Sequence, residues 1–545
     1  MWRRTVGEFS LVSPRLEQVI RATGIDVAED PTAHDAIVVG AGAAGGLAAA
    51  LLCEAGLRVL VLDAGYRKRF WQAPVQRSLA AALAAIADPR LLGILPSGVV
   101  WRGERALRML GRRRQPIQSR CYAWLTAADL FVDDVDNPYE TETGKPFNWI
   151  RARGLGGRMV VPVHGRQYLR HGERDFRPVD GLAPAWPFAP DALDPWYDLV
   201  EKRLGLSGGR EHSPWVPDSL LAEERKADTA ETELMARLRE RWPGLTPMLG
   251  RYAPPMPSLE KAAATGRLHC RSGAIASHVE LDGAGRAKAV IFHDVATNAR
   301  RRASAPRILL AASTLESTRI LLASRGERTP EGVGARSGAL GRFLMDHVSI
   351  KAEGIGAAIE TDSRAGETGR CVYVPRFESR EGGEVGPGRG FGMRIYRSPG
   401  PSGSSYFTAI ADAEMLPRTE NRVTLADRRD AWGMPVLRIA ANHSPGEIAL
   451  AADQTSALRE LAEMLDVRIN AISEGSGTPG SAIHEVGTAR MGDDPASSVL
   501  DPFNQCWEAP GLYVIDGAAF PSEGIQNPTL TIMALAARAC DAIAR

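Results

Sequence analysis

Residues 35–65 read DAIVVGAGAAGGLAAALLCEAGLRVLVLDAG and form the most informative part of the chain. The apolar run at 36–39 predicts a buried parallel strand, and the turn Gly40-x-Gly42-x-x-Gly45 follows it at once. A helix pattern continues to Gly56, and a second apolar run ends in Asp63. These parts occur in the order of a mononucleotide-binding unit, which favours dinucleotide binding over a bare strand–helix turn.

Each residue type in this unit has a physical reason. The first glycine allows a tight turn, the second lets the backbone approach a pyrophosphate, and the third lets the helix pack on the strand. The helix N-terminus offers unpaired N–H groups to phosphates, and an acid at the end of the second strand can accept hydrogen bonds from a ribose. The predicted contacts are Gly40, Gly42, Ala43, Ala44, Gly45 and Asp63.

Length and composition exclude several classes of protein. The chain has 545 residues, of which 44% are apolar and 24% charged, as expected of a soluble protein with more than one core. A net charge of +1 gives no reason to expect a nucleic-acid partner. The six cysteines are scattered without a C-x-x-C motif, which disfavours a zinc site, a redox dithiol and attached haem. We therefore expect a reduced, cytoplasmic protein.

The stretch 79–100 is the most apolar part of the sequence. Asp88 and Pro96 interrupt it, so we predict no membrane span. A basic stretch follows at 102–114. Its two explanations are a peripheral contact with a membrane or partner, and a packed helix pair with a solvated basic face.

Further motifs occur at fixed places along the chain. They are Gly156-Gly157, Leu315-Glu-Ser-Thr-Arg319, His484-x-x-Gly-Thr488, the segment 511–517 and Asn527-Pro528-Thr529. Together with the opening glycines, they make the chain after residue 35 resemble the glucose–methanol–choline (GMC) family of flavin oxidoreductases. The resemblance implies that the dinucleotide is FAD. It also implies an active site in which a histidine faces a second histidine or an asparagine, positions matched here by His484 and Asn527.

These two residues suit the oxidation of an alcohol, in which a hydride goes to flavin N5 and the hydroxyl proton goes to a base. A neutral imidazole such as His484 is a usual base near pH 7, and the Asn527 amide can hold the substrate oxygen. The alternatives are a core histidine bonded to backbone and an asparagine that caps the helix beginning at Pro528. Further cofactor contacts implied by the resemblance are Gly156, Gly157, His164, Gly165, Asp516, Gly517, Pro528 and Thr529.

The segment after Gly157 departs from the family pattern. Relatives with covalently bound flavin carry a histidine four residues after the second glycine, where this chain has Val161. We therefore predict non-covalent FAD. His164 either approaches the flavin or is a loop histidine. Asp346-His347 lacks ligand partners at metal spacing, and we predict no metal site.

The predicted fold is α/β, a discontinuous FAD-binding Rossmann-like domain with a mixed α+β substrate-binding domain. After an N-terminal extension (1–33), the FAD domain comprises 34–65, 130–204, 265–345 and 481–545. A helical insertion spans 66–129, and the substrate domain comprises 205–264 and 346–480.

The segments 129–157, 372–377 and 388–394 resemble a subgroup of bacterial sugar and polyol dehydrogenases that includes glucoside 3-dehydrogenase catalytic subunits. The predicted function is therefore FAD-dependent oxidation of a sugar, glycoside or polyol-like alcohol. A separate electron acceptor, a quinone, cytochrome or O₂, takes the electrons. The alternatives are an O₂-using oxidase of natural-product or aliphatic alcohols, a non-redox lyase of the same fold, and a non-catalytic flavin-binding subunit.

Overall fold

The computed structural model describes residues 34–65, 113–161, 167–254, 256, 258–361, 370–378, 390–400, 403–473 and 475–545. The predicted extension at 1–33 and most of the predicted insertion at 66–129 lie outside these residues. The helices are α1 (Ala43–Glu54), α2 (Trp124–Ala127), α3 (Glu173–Phe176), α4 (Asp194–Leu204), α5 (Thr229–Arg241), α6 (Ser258–Ala264), α7 (Thr314–Ala323), α8 (Pro445–Met464) and α9 (Thr529–Ala544).

Nineteen strands are placed among the described residues. They are β1 (Ala36–Val39), β2 (Val59–Asp63), β3 (Glu140–Thr141), β4 (Ser207–Gly208), β5 (Glu223–Glu224), β6 (Met248–Leu249), β7 (Leu268–Ser272), β8 (Ala274–Leu281), β9 (Ala287–Asp294), β10 (Ala299–Ser304), β11 (Ile308–Leu310), β12 (Val348–Ala357), β13 (Val372–Glu378), β14 (Gly390–Pro399), β15 (Ser404–Ala413), β16 (Arg422–Arg429), β17 (Pro435–Ala440), β18 (Arg468–Ile472) and β19 (Leu512–Val514).

The first sheet is five-stranded and parallel, in the order β19-β11-β1-β2-β7. Every residue of β1 and β2 is buried, which explains why both read as continuous apolar runs. On one side α1 and α9 cover the sheet through Leu52, Ala536 and Ala539. Helix α6 packs in the same core through Leu259, although the predicted division assigned it to the substrate segment.

The second large sheet is antiparallel, in the order β18-β12-β15-β14-β13-β6. Along its strands, buried apolar side chains alternate with side chains on the opposite face, because successive residues of a strand point to opposite sides of the sheet. Val348, Ile350 and Ala352 of β12 are fully buried in a core that also holds residues of α5 and α8. Ser349 and Lys351, the residues between them, are only partly buried and face the other way.

Smaller sheets complete the fold: β10-β9-β8, β16-β17-β3 and the pair β4-β5. A parallel sheet with helices beside a separate antiparallel sheet confirms the predicted α/β fold. The uncovered face of the antiparallel sheet is turned toward the strand ends of the parallel sheet, and the candidate site lies between them.

Candidate active site

A cavity of about 920 Å³ lies between the two sheets. Its floor is the carboxyl end of β1 and β2, the edge at which ligands bind in open α/β sheets. The loop 481–485 and the start of α9 form a second wall, and β12, β14 and β15 form a third. One continuous space therefore reaches from the glycine turn to the polar face of the antiparallel sheet.

The glycine turn leaves no room for side chains. Gly40 has φ 97°, and a Cβ there would lie 2.3 Å from the Ala311 oxygen. A Cβ on Gly45 would lie 2.0 Å from the Gly40 oxygen. Helix α1 begins without a side-chain cap, and Gly42, Ala43 and Ala44 line the cavity. Its first N–H groups thus remain available to an anion, and the site fits the pyrophosphate of FAD.

The two predicted acids are held by neighbouring donors. Asp63 lines the cavity and accepts hydrogen bonds from the backbone N–H groups of Ala41, at 2.8 Å, and Gly65, at 2.7 Å. Asp516 accepts from Ser317 Oγ at 2.5 Å and from the backbone of Ala518 at 3.1 Å. Burial raises the pKa of Asp516 to about 6. A carboxylate has about four acceptor positions, so each can also accept a ligand hydroxyl.

The predicted catalytic pair is brought together. Asn527 Nδ2 lies 3.1 Å from His484 Nε2, although the residues are 43 positions apart. On the other side of the same ring, His484 Nδ1 lies 2.8 Å from His347 Nδ1. His347 Nε2 in turn lies 2.9 Å from the Gly524 carbonyl oxygen.

These three contacts determine which ring nitrogens of the two histidines carry a proton. Because a carbonyl only accepts, His347 carries its proton on Nε2 and offers Nδ1 as an acceptor. His484 must then donate from Nδ1, which leaves its Nε2 unprotonated and accepting from the Asn527 amide. Burial lowers the pKa of His347 and keeps that ring neutral. The arrangement presents His484 Nε2 as a base.

Asp346 positions the backbone that carries His484. One carboxylate oxygen accepts from the N–H groups of Gly480 at 2.7 Å and Ala482 at 3.1 Å, and the other accepts from His484 N–H at 2.8 Å. Burial, and then the neighbouring Glu485, raise the pKa of Asp346 to about 7, although the three N–H donors lower it. Sequence reasoning considered Asp346 and His347 only as metal ligands and missed both roles. No local pattern could have found them, since they lie 137 and 138 positions from His484.

Asn527 does not cap the last helix, and that alternative is wrong. Helix α9 begins at Thr529 after Pro528, and its N-terminus has no side-chain cap bond. Asn527 uses its side-chain nitrogen on His484 instead. Pro528, Thr529 and Gly517 line the cavity, as predicted for cofactor contacts.

The double glycine packs directly against the glycine turn. Gly157 has φ 59° and lines the cavity, and a Cβ on it would meet Gly42 Cα at 3.0 Å. Gly156, at φ 99°, supports the same turn. Val161 is 2% exposed and packs with Cys121 and Ile483. His164 and Gly165 lie outside the described residues.

Two features are absent from the described part of the chain. No helix in it is long and apolar enough to cross a membrane. No group of three or more His, Cys, Asp or Glu side chains in it could hold a metal ion.

Comparison with known proteins agrees with this geometry. Residues 417–536 match the family described as GMC oxidoreductase. A paromamine 6'-oxidase of Streptomyces fradiae is 27% identical over 96% of this chain and 93% of its own. A 2-methyl-1,2-propanediol dehydrogenase of Mycolicibacterium austroafricanum is 30% identical over 48% and 52%. A C-glycoside 3-oxidase of Arthrobacter globiformis is 27% identical over 64% of each chain.

The solved structures agree on the fold. Pyridoxine 4-oxidase from Mesorbium loti superposes with a TM-score of 0.58 at 18% identity, over 93% of this chain and 99% of that chain. The chain has the GMC oxidoreductase fold. The matched C-terminal segment and the relatives make the chain similar to GMC oxidoreductases.

The raised pKa of Asp346 predicts a pH-dependent stability. Between about pH 4 and 7 the folded chain keeps a proton that the unfolded chain has released. The contribution to the free energy of unfolding is therefore full below about pH 4 and is lost as the pH rises through 7. We expect Asp346→Asn to show a smaller fall in melting temperature from pH 5 to 8 than the wild type, by calorimetry with flavin bound. The exposed Asp493→Asn is the control, and equal slopes in the two variants would contradict this assignment.

Proposed function

We propose that this chain oxidises a hydroxyl group of a sugar, glycoside or polyol, with FAD as its cofactor. The observation that carries the proposal is the proton arrangement around His484, whose Nε2 is an unprotonated acceptor beside the Asn527 amide. A base of this kind, facing the same cavity as an uncapped helix N-terminus, suits alcohol oxidation on a dinucleotide.

The chain's own residues have three tasks in this reaction. His484 Nε2 takes the hydroxyl proton, and Asn527 Nδ2 can turn from Nε2 to hold the substrate oxygen. His347 fixes the His484 tautomer, since it accepts from Nδ1 and leaves no other nitrogen to act as base. A bound flavin supplies the hydride acceptor that no amino-acid side chain can supply.

The choice of a polyhydroxylated substrate rests on two kinds of support. The segments 129–157, 372–377 and 388–394 resemble the sugar and polyol dehydrogenase subgroup. The wall of the cavity opposite the glycine turn carries polar side chains, which reject a substrate that leaves them unmatched. They are Ser349, Lys351, Arg394, Tyr396, Thr408 and Asp412.

His484→Ala tests the proposed base. We expect the rate of flavin reduction by a saturating glycoside under anaerobic conditions to fall by about 10²–10⁴-fold, the usual contribution of a positioned acid–base group. Bound flavin should be retained. Stability should drop by about 1–3 kcal/mol, because His347 Nδ1 loses its donor.

The matched control is His212→Ala, since the His212 side chain is 83% exposed and is not part of the cavity lining. It should reduce flavin at the wild-type rate. Wild-type reduction in His484→Ala itself would place the base elsewhere, with His164 the next candidate. Turnover of substrate without flavin bleaching would favour the lyase alternative.

We further propose that FAD is held without a covalent link. Val161 stands at the sequence position of the attachment histidine, and its side chain packs in an apolar cluster and does not itself line the cavity. Acid or heat precipitation should therefore release the yellow chromophore into the supernatant. Colour that stays with the pellet would contradict the proposal and make His164 the attachment candidate.

We also propose that electrons pass to a separate acceptor in preference to O₂. The support is the dehydrogenase subgroup resemblance, whereas the relatives include both oxidases and a dehydrogenase by name. Steady-state rates should be at least about tenfold higher with a quinone or dye under nitrogen than in air, one factor of ten being 1.4 kcal/mol of barrier. Equal rates in air, with peroxide formed, would make the protein an oxidase.

A further inference from the structure

The antiparallel sheet presents its cavity-facing side chains in rows. Across three adjacent strands, Ser349 pairs with Asp412, and Asp412 pairs with Gly392. In the next row, Lys351 pairs with Ile410, which pairs with Arg394. Rows two residues apart are separated by about 6.8 Å, and β12 begins directly after His347. The row of Asp412 is therefore the one nearest the catalytic pair.

Asp412 offers an acceptor that the chain does not use. The residue is 4% exposed, and Arg394 Nη2 donates to its Oδ2 oxygen. Its Oδ1 oxygen is buried and has no hydrogen-bond partner among the described residues. A buried carboxylate oxygen without a donor is costly, and a donor brought by the substrate would remove that cost.

The cationic side chains on this wall already form ion pairs. Arg394 pairs with Asp412, and Lys351 Nζ lies 2.5 Å from Glu353 Oε1. Each of the other carboxylates among the described lining residues also has a partner. Glu485 forms an ion pair with Arg158, and Glu316 forms ion pairs with Arg153 and Arg319. Asp63 accepts a hydrogen bond from a backbone N–H group, and Asp516 accepts one from Ser317 Oγ. Asp412 Oδ1 is thus a carboxylate oxygen on this wall that has no donor among the described residues.

We propose that Asp412, held by Arg394, binds the hydroxyl group adjacent to the reacting carbinol, and that the site selects substrates that carry this neighbouring hydroxyl. This inference rests on the proposed function for the position of the carbinol at His484. The hydroxyl donates to Asp412 Oδ1 and leaves both ion pairs intact. A substrate without that hydroxyl leaves Oδ1 buried and without a donor.

Binding and turnover are measured separately. Binding is measured by calorimetry on the FAD-loaded enzyme with the His484→Ala change, which lacks the proposed base. In that background we expect Asp412→Asn to weaken the binding of methyl glucoside by about 10–100-fold, as for loss of a charged hydrogen-bond acceptor. The binding of cyclohexanol, which has no adjacent hydroxyl, should change less than about twofold. Tyr406→Phe on the same strand is the matched control, since Tyr406 is exposed and outside the cavity lining, and it should leave both unchanged.

A second comparison keeps the inference testable if Asp412→Asn does not fold. In the parent we expect at least one monodeoxy methyl glucoside, the one that lacks the hydroxyl bound by Asp412, to bind at least about tenfold more weakly than methyl glucoside. Equal binding of methyl glucoside and all of its monodeoxy analogues in the parent, or an equal loss for glucoside and cyclohexanol in Asp412→Asn, would overturn the inference. Glycosides that bind with this pattern but do not reduce flavin in the wild type would instead refute the proposed function.

Discussion

The active site depends on one buried carboxylate, Asp346, which joins the start of the antiparallel sheet to the loop that carries His484. The residue lies two positions before β12, and its oxygens hold the backbone at Gly480, Ala482 and His484. Ile483, between two of these anchored residues, has φ 65°. A β-branched residue in that region is strained, and such strain persists only where the surroundings fix the backbone. Asp346 provides that constraint, and the base on the next residue is oriented as a result.

The two histidines then act as one unit. His347 is fully buried, is neutral, and has its proton committed to the Gly524 carbonyl. That commitment determines the tautomer of His484 and therefore which nitrogen faces the substrate. The orientation is set by two backbone segments, Asp346–His347 and Gly524, which belong to different parts of the chain. A shift of either segment would therefore change which nitrogen of His484 can act as the base.

Local pattern was sufficient to predict the nucleotide-binding unit. The run 36–39, the glycines and Asp63 act within 30 residues, and steric exclusion at Gly40 and Gly45 leaves few alternatives. Two roles were open for Asn527 from the sequence. The family resemblance predicts that it lies near His484, whereas the Asn-Pro sequence alone predicts that it caps the helix. Tertiary context decided the matter, because the helix starts one residue later and the amide has a partner 43 positions away. His347 and Asp346 could not be predicted, since their contacts exist only once two sheets are assembled.

The buried charges of the site are best understood as positioning devices. Burial raises the pKa of Asp346, Asp516 and Glu523 alike, which means that each carboxylate is less stable here than in water. Buried ion pairs such as Arg394–Asp412 gain little over apolar residues of the same shape. A chain selected only for stability would not keep so many of them around one cavity. Asp346 holds the backbone at His484, Asp412 and Asp516 line the cavity, and Glu523 lies beside His347. The geometry of the site therefore accounts for carboxylates that cost folding free energy.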